Sequence, residues 1–494
     1  MANPLGYFGA GMNTPVPVPL CVDLDGTVIK TDLFWESLVR LVRDNPLYLV
    51  LAPWWWLRGR AWLKRQVARR TKVDVAALPY QEAFVEFLRE ERRQGRPLCL
   101  VTASDCRLAE AVAGHLGLFT EVLASDGQTN LRGKNKAARL VQRFGARGFD
   151  YAGNSAVDLP VWAQARQALL VNAPAGVAAR AARCAPVSRV FEWSSSWWEA
   201  VVQALRPHQW VKNLIVFVPL VTSHQITRLD LVLKAVWALA ALSLCASGGY
   251  VLNDLLDLEA DRHHPAKRWR PFAAGRLPLA AGLAACPALV GAGLLLAWGL
   301  SGSFAVVVGS YLALTTSYSW RLKQVALLDV FCLAALYTIR LVAGHESTGV
   351  AYSFWLLVFA MFVFLSLALV KRFVELEAAR QQNKPGIKGR GYAAGDRELV
   401  AALGSTSGYL AVLVLALYVN SQEVTVLYHR PLLLLLICPL LLYWISRVWM
   451  VAHRGQMHDD PILFALKDST SYVIGLLSLL VLWLATISWP HPGS

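Results

Sequence analysis

The chain has 494 residues, too many for one ordinary hydrophobic core, so at least two folding units are expected. Its 56% hydrophobic content averages two solvents: residues 1 to about 200 carry charge at ordinary soluble density, whereas 211–489 consist of apolar runs of bilayer-spanning length. The formal charge of +15 is not the footprint of a nucleic-acid partner, because no base-reading or stacking module accompanies it, and a basic excess beside long apolar runs marks cytoplasmic loops instead.

The first stretch, 1–19, is Gly/Pro-rich without a basic-then-apolar pattern, so no cleavable signal is expected and the N-terminal domain is expected in the cytosol. Short apolar runs then alternate with helical stretches, the pattern of a parallel sheet covered by helices. Strands are predicted at 20–23, 97–102, 121–125, 151–153 and 168–171. The long helical stretch over 31–94 is inserted between the first two strands and reads as a cap. Within it, 47–57 is apolar but only eleven residues long, too short to span a bilayer. Beside it stand Arg58, Arg60, Lys64, Arg65, Arg69 and Arg70. Two readings are open for this pair: a helix laid on anionic lipid headgroups, or a cap core with a solvated basic face. Ser194, Ser195 and Ser196 form the best linker, and Trp193, Trp197, Trp198 and Trp210 suit an interfacial aromatic belt. The eight cysteines are scattered, without a Cys-x-x-Cys pair, and read as small buried hydrophobes.

About nine membrane spans follow, centred near residues 217, 241, 289, 311, 335, 362, 409, 440 and 480. The loop after the second holds Arg262, Lys267, Arg268, Arg270 and Arg276; the loop after the fourth holds Arg321 and Lys323; the loop after the sixth holds Arg380, Lys384, Lys388, Arg390 and Arg397. The opposite loops hold little beyond Arg228 and Arg430. By the positive-inside rule the basic loops face the cytosol with the N-terminal domain, and the C-terminus lies outside.

Two motif sets carry chemistry. In the soluble part, Cys21-Val22-Asp23-Leu24-Asp25-Gly26-Thr27 ends the first strand with two carboxylates at i and i+2, hence on one face, before a glycine turn. One can attack a phosphoryl group while the other handles the leaving-group proton, and both can help hold Mg²⁺. Thr102 ends another strand with a phosphate-binding hydroxyl, Lys134 or Lys136 can neutralise phosphate charge, and Asp158 in Gly153-Asn154-Ser155-Ala156-Val157-Asp158 supplies a further acid. These four elements in this order resemble the haloacid dehalogenase superfamily over roughly 19–190. The resemblance implies Asp23 as nucleophile, Asp25 as acid/base, Thr102 and a Lys as phosphate binders, and Asp158 as the metal-side acid. Asn154 departs from the family's usual Asp, which lowers the expected metal affinity and leaves open a degenerate domain that only docks or regulates.

In the membrane part, Asp254, Asp257 and Asp261 fall at helical spacing on one stripe flanked by Asn253. Three like charges there repel unless cations lie between them, and Mg²⁺ bridging to a diphosphate would relieve this. His264-Pro265-Ala266-Lys267-Arg268-Trp269-Arg270 follows directly. The pattern Asn253-Asp254-x-x-Asp257-x-x-x-Asp261 looks like the first aspartate motif of the UbiA superfamily of intramembrane prenyltransferases, over about 204–490. The second Asp-x-x-Asp of aromatic-acceptor members is missing, and Lys371-Arg372-Phe373-Val374-Glu375-Leu376 and Gly389-Arg390-Gly391-Tyr392 stand in its place. With Arg206, Lys212 and Asn213 ahead of the first span and Lys267 and Arg270 after the Asp motif, this resembles the decaprenyl-phosphate phosphoribosyltransferase branch.

The resemblance implies a phosphoribosyl diphosphate donor, a polyprenyl phosphate acceptor and Mg²⁺ as cofactor. Lys267, Arg270, Lys371, Arg372, Glu375, Arg390 and Tyr392 would then belong to the substrate site. The alternative is prenyl transfer from a prenyl diphosphate to an aromatic or lipid acceptor; a third reading is a non-enzymatic scaffold. The expected fold is thus an α/β haloacid dehalogenase-like domain over 1–193 with a helical cap at about 31–95, an interfacial linker over 194–210, and an all-α membrane domain of about nine helices over 211–490. The expected setting is the bacterial inner membrane, with monomer and homo-oligomer both open.

Overall fold

The computed structural model describes residues 17–192, 196–387, 389–457 and 460–487. Trp193, Ser194, Ser195 and Lys388, singled out above, lie outside the described residues, as does most of the 1–19 stretch. The chain forms two compact units: 1–204 with 254–284, and 205–253 with 285–494.

The first unit is built on a six-stranded parallel sheet: β1 (Leu20–Val22), β2 (Leu98–Asp105), β3 (Glu121–Ser125), β4 (Asp150–Gly153), β5 (Ala168–Val171) and β6 (Val187–Phe191), in the order β3-β2-β1-β4-β5-β6. Strand alternation sends Leu20, Val22, Leu98 and Leu100 into one core and Cys21, Cys99 and Val101 into the other, so both faces are covered, as a parallel sheet requires. Five strands match the expected ones closely. β6 is additional: an edge strand whose central residues Ser188, Arg189 and Val190 are exposed, so it lacks the apolar run that marks its neighbours.

The cap comprises helices Leu33–Asp44, Tyr48–Leu57, Arg60–Arg70 and Glu82–Arg93. Asp32 starts the first by accepting from the Phe34 and Trp35 amides. The segment 254–284 belongs to the same unit. It contains the last turn of helix Leu229–Leu256, a short helix Leu258–His263, a 3₁₀ turn Lys267–Trp269 and the start of helix Leu279–Leu300. Gly275, at φ 69, packs so closely on Lys30 that a Cβ there would lie 2.7 Å from the lysine Cβ.

The second unit is helical. Among the described residues the chain has seven helices long and apolar enough to cross a membrane: Leu229–Leu256, Leu279–Leu300, Leu328–Thr348, Phe354–Gln381, Ala394–Val419, Pro431–His453 and Ser469–Thr486. The two further expected spans take other forms. Near 311 stands helix Gly302–Trp320, long enough but made polar by Thr315, Thr316, Ser317 and Ser319. Near 217 a 3₁₀ stretch Pro207–Phe217 runs into the short helix Val218–Thr222. Small residues let the helices approach closely: a side chain at Gly344 would strike the Val216 carbonyl, and one at Gly404 would strike the Trp449 ring. These helices and their exposed Leu, Val and Trp side chains make the chain an integral membrane protein.

Candidate functional site

The first unit gathers a buried charge cluster at the carboxyl ends of its central strands, where open α/β sheets place ligands. Lys136, on the first turn of helix Lys134–Phe144, donates to Asp23 Oδ1 at 2.7 Å and to Tyr151 Oη at 2.9 Å, and ion-pairs with Asp158 Oδ1 at 3.7 Å. Lys134 points to the surface, so of the two expected lysines the fold brings Lys136 to the carboxylates. Asp25 accepts from the Leu33 amide at 2.9 Å, the Thr102 hydroxyl at 3.3 Å and the Ser104 hydroxyl at 2.7 Å. Ser104 was not anticipated, although it shares the strand face of Thr102 two residues on.

Asp158 is held on all sides. Oδ1 accepts from Tyr151 Oη at 2.8 Å, and Oδ2 from the amides of Asn154 and Ser155 and the Ser155 hydroxyl. It therefore orients Lys136 and Tyr151 more than it faces outward as a ligand. Asn154 packs directly on Gly26, where a Cβ would collide with its amide nitrogen.

Three carboxylates thus surround one ammonium in a largely buried site. Burial pushes the Asp23 carboxyl up to about 7, with Lys136 opposing and Asp158 and Asp25 adding to the rise. Burial alone would depress Lys136, but the Asp23 and Asp158 carboxylates outweigh it and hold the ammonium above its usual range. The surplus of negative charge and the hard oxygens of Asp23 and Asn154 fit a divalent cation such as Mg²⁺.

The aspartate motif has a different geometry. Helix Leu229–Leu256 ends just past Asp254, and Asp257 stands between it and the separate helix Leu258–His263, so the three acids do not lie on one unbroken stripe. Arg270 Nη1 donates to Asp254 Oδ1 at 3.1 Å and to Asp261 Oδ2 at 2.7 Å. This guanidinium supplies the compensating charge that the sequence reading gave to a metal, and no group of three acidic, His or Cys side chains stands ready as a metal cage among the described residues. Burial nonetheless raises the Asp261 carboxyl, with Arg270 pulling the other way. Lys267 is exposed, on the 3₁₀ turn that follows.

The second unit holds two polar clusters. In one, Arg372 is fully buried and ion-pairs with Asp329 at 2.5 Å and with Glu375; its Nη2 also donates to the Tyr318 hydroxyl at 3.3 Å. Arg390 joins through Tyr318 at 2.9 Å, Glu375 at 3.5 Å and Asp329 at 3.6 Å, and Tyr392 donates to Asp329 at 2.6 Å. Arg372, expected to bind phosphate directly, is already neutralised by two carboxylates.

In the other cluster, Lys212 and Lys371 converge on the single carboxylate Asp460, both on Oδ2, at 3.0 and 3.1 Å. Asn213 accepts from Arg340 at 2.8 Å, and Arg340 also donates to the Tyr311 hydroxyl at 3.2 Å. Among the described residues no carboxylate pairs with Arg340, so three cations here answer to one acid. Arg340 and Asp329 were missed because each is a lone charge, although an ionisable residue inside an apolar run was the available signal, and Asp460 because His458-Asp459-Asp460 matches no motif. Arg206 lies over the Tyr250 ring at 5.2 Å, and Asn253 is half-buried on helix Leu229–Leu256.

Residues 215–467 match the UbiA prenyltransferase family, and residues 20–162 match the haloacid dehalogenase-like hydrolases. The Sinorhizobium fredii protein y4nM, itself uncharacterized, is 41% identical over 93% of this chain and 89% of its own length. Nodulation protein NoeC of Azorhizobium caulinodans is 36% identical over 57% of this chain and 93% of its own length. The decaprenyl-phosphate phosphoribosyltransferase of Mycobacterium tuberculosis is 38% identical over 37% of this chain and 61% of its own length. A buried Asp-Lys-Asp cluster on a parallel sheet and a membrane-spanning helical unit thus meet two independent family matches, and the chain belongs to the UbiA prenyltransferase family, with a haloacid dehalogenase-like domain at its N-terminus.

Proposed function

We propose that this protein transfers 5-phosphoribose from phosphoribosyl diphosphate to a polyprenyl phosphate, in a bacterial inner membrane with the N-terminal domain on the cytoplasmic side. The observation that carries this reading is the Lys212–Asp460–Lys371 cluster with Arg340. An anionic lipid headgroup or a phosphorylated sugar balances such an excess of positive charge, whereas a neutral aromatic acceptor does not. The similarity to decaprenyl-phosphate phosphoribosyltransferases supports the same choice.

In this reading Asp254, Asp257 and Asp261 would hold Mg²⁺, which would supply positive charge that makes diphosphate a better leaving group. Arg270 and Lys267 bind diphosphate oxygens, and Lys212 and Lys371 bind a second phosphate. A lipid phosphate oxygen attacks the ribose anomeric carbon, the carbon–oxygen bond to diphosphate breaks, and diphosphate leaves. Arg372, Arg390, Glu375 and Tyr392 keep the surrounding helices in place.

The N-terminal domain hydrolyses a phosphomonoester, for which the 5-phosphate of the lipid product is our candidate. Asp23 attacks phosphorus, the ester bond breaks, and Asp25, held by Thr102 and Ser104, protonates the departing alkoxide. Water then cleaves the aspartyl phosphate, releasing inorganic phosphate. Lys136 and Thr102 bind phosphoryl oxygens, while Asp158 positions Lys136.

The test uses full-length protein in liposomes with polyprenyl phosphate and labelled phosphoribosyl diphosphate. Labelled lipid that disappears in Asp254→Ala supports the transfer. Protection of the chain by a prenyl diphosphate, with no labelled lipid formed, supports the second reading, prenyl transfer, which the family itself favours. Identical phosphorylated lipid from wild type and Asp23→Asn refutes the coupled hydrolysis.

A further inference from the structure

The cap carries a feature that neither reaction uses. Helix Tyr48–Leu57 is apolar on all sides, yet Leu47, Val50, Trp54, Trp56 and Leu57 are 57–76% exposed. Trp55 is the one buried side chain of this helix, packed with Leu41 and Val67 and lying under the Arg70 guanidinium at 4.9 Å, and half-buried Tyr48 joins it at 6.0 Å between ring centres. The helix is therefore fixed to the cap by Trp55 and Tyr48 and presents its other large side chains outward. A soluble cap that needed this helix for its core would bury more than one of these side chains.

The flanking charge is one-sided. Between Pro46 and Asp74 stand seven Lys and Arg and no Asp or Glu. Arg58, Arg60 and Arg69 are exposed and form no ion pair among the described residues; Arg58 lies over the Trp54 ring at 5.4 Å. Gly59, at φ 109, turns the chain so that helix Arg60–Arg70 follows directly on the apolar helix. Apolar Leu and Trp thus stand next to a row of cations on a rigid hairpin. Ten residues rise about 15 Å, half a hydrocarbon core, so the helix can enter a bilayer interface but cannot cross it.

We infer that this hairpin docks the cap on an anionic bilayer surface, with the Tyr48–Leu57 side chains among the acyl chains and the arginines on the headgroups. A lipid surface offers anionic groups directly above an apolar layer, the arrangement the hairpin complements. The chain's own spans keep such a surface permanently within reach of the domain, which raises the effective concentration of this partner above that of any soluble one.

The test places a benzophenone photo-crosslinking residue at Val50, or at the exposed Arg89 as control, in the full chain in nanodiscs of phosphatidylcholine alone or mixed with phosphatidylglycerol. Mass spectrometry should find lipid adducts at 50 and not at 89, enriched in the anionic discs. The double variant R58E/R60E, whose melting temperature should match the wild type, should reduce the adduct at 50 by about tenfold in anionic discs. Chain-to-chain crosslinks at 50 would assign the face to a second copy and overturn the inference. So would equal labelling at 50 and 89, or adducts indifferent to lipid charge and to R58E/R60E.

Discussion

Arg262 and Glu36, 226 residues apart in the chain, form a two-pronged ion pair: Nη2 donates to Oε1 at 2.6 Å and Nη1 to Oε2 at 3.1 Å. Both side chains are nearly inaccessible, at 7% and 4% exposure. Arg262 immediately follows Asp261, and Glu36 lies on the first cap helix, so the cap grips the segment that carries the aspartate motif. Arg40 with Glu259 and His263 with Asp74 extend the same grip.

Removing one partner leaves a buried charge uncompensated, so Glu36→Ala should destabilise the first unit by about 3–5 kcal/mol. Glu36→Gln, which keeps the shape, should cost less stability yet still lower lipid transfer by about tenfold, because a small displacement of catalytic groups has effects of that order or more. Thermal unfolding and transfer assays on the same preparations check both. Full transfer activity in a Glu36→Gln protein would show that the aspartate segment is positioned without the cap.

Arg270 bridges Asp254 and Asp261, so Arg270→Gln sets two buried carboxylates against each other. Stability should fall by about 3–5 kcal/mol. If divalent ions bind the freed carboxylates, added Mg²⁺ should raise the melting temperature of Arg270→Gln more than that of the wild type, since only binding to the folded state stabilises it. Equal shifts in both proteins would argue against a cation site at these residues.

Arg372 and Lys371 are neighbours in sequence with different partners. Asp329→Asn weakens the neutralisation of the buried Arg372 and should destabilise the second unit by several kcal/mol, about the cost of breaking a buried pair. Lys371→Gln leaves Lys212 on Asp460, so it should hardly change the melting temperature while lowering transfer by about a hundredfold, as loss of a charged phosphate contact does. A Lys371→Gln protein with full activity would remove this lysine from the substrate site.

The Asp23 carboxyl, pushed up to about 7, sets a pH dependence. Only the carboxylate can attack phosphorus. Below that value the protonated form predominates, so hydrolysis should fall roughly tenfold for each further unit of acidity. A cation stabilises the carboxylate, so Mg²⁺ should move the midpoint downward, and Asn154→Asp, by adding a charged oxygen, should strengthen that Mg²⁺ effect. A pH–rate profile of phosphomonoester hydrolysis by the full chain, with and without Mg²⁺, is the measurement; a flat profile through neutrality without Mg²⁺ would show that the Asp23 carboxyl does not titrate there.

Local patterns were the legible part of this chain. Asp23 and Asp25 at the end of an apolar strand, Thr102 on its neighbour and the parallel strands themselves follow from period-two alternation and strand-end chemistry. Residues that act through long-range convergence were not legible. Asp460 is one carboxylate in a loop until folding brings Lys212 and Lys371 to it, and Arg340 gains its Asn213 partner from 127 positions away. The break at Asp257 was hidden because three acids at spacings of three and four read as a continuous helix, and nothing local signals a halt after Leu256. Edge strand β6 escaped because exposure allows Ser188 and Arg189 where a central strand would carry Val or Ile.

The guanidinium lodged between Asp254 and Asp261 also bears on biogenesis. A nascent chain whose acidic hinge arrives with its own counter-ion can be inserted and folded before any divalent ion is encountered, so under the proposed metal-dependent transfer scarcity of metal would idle this protein without unravelling it.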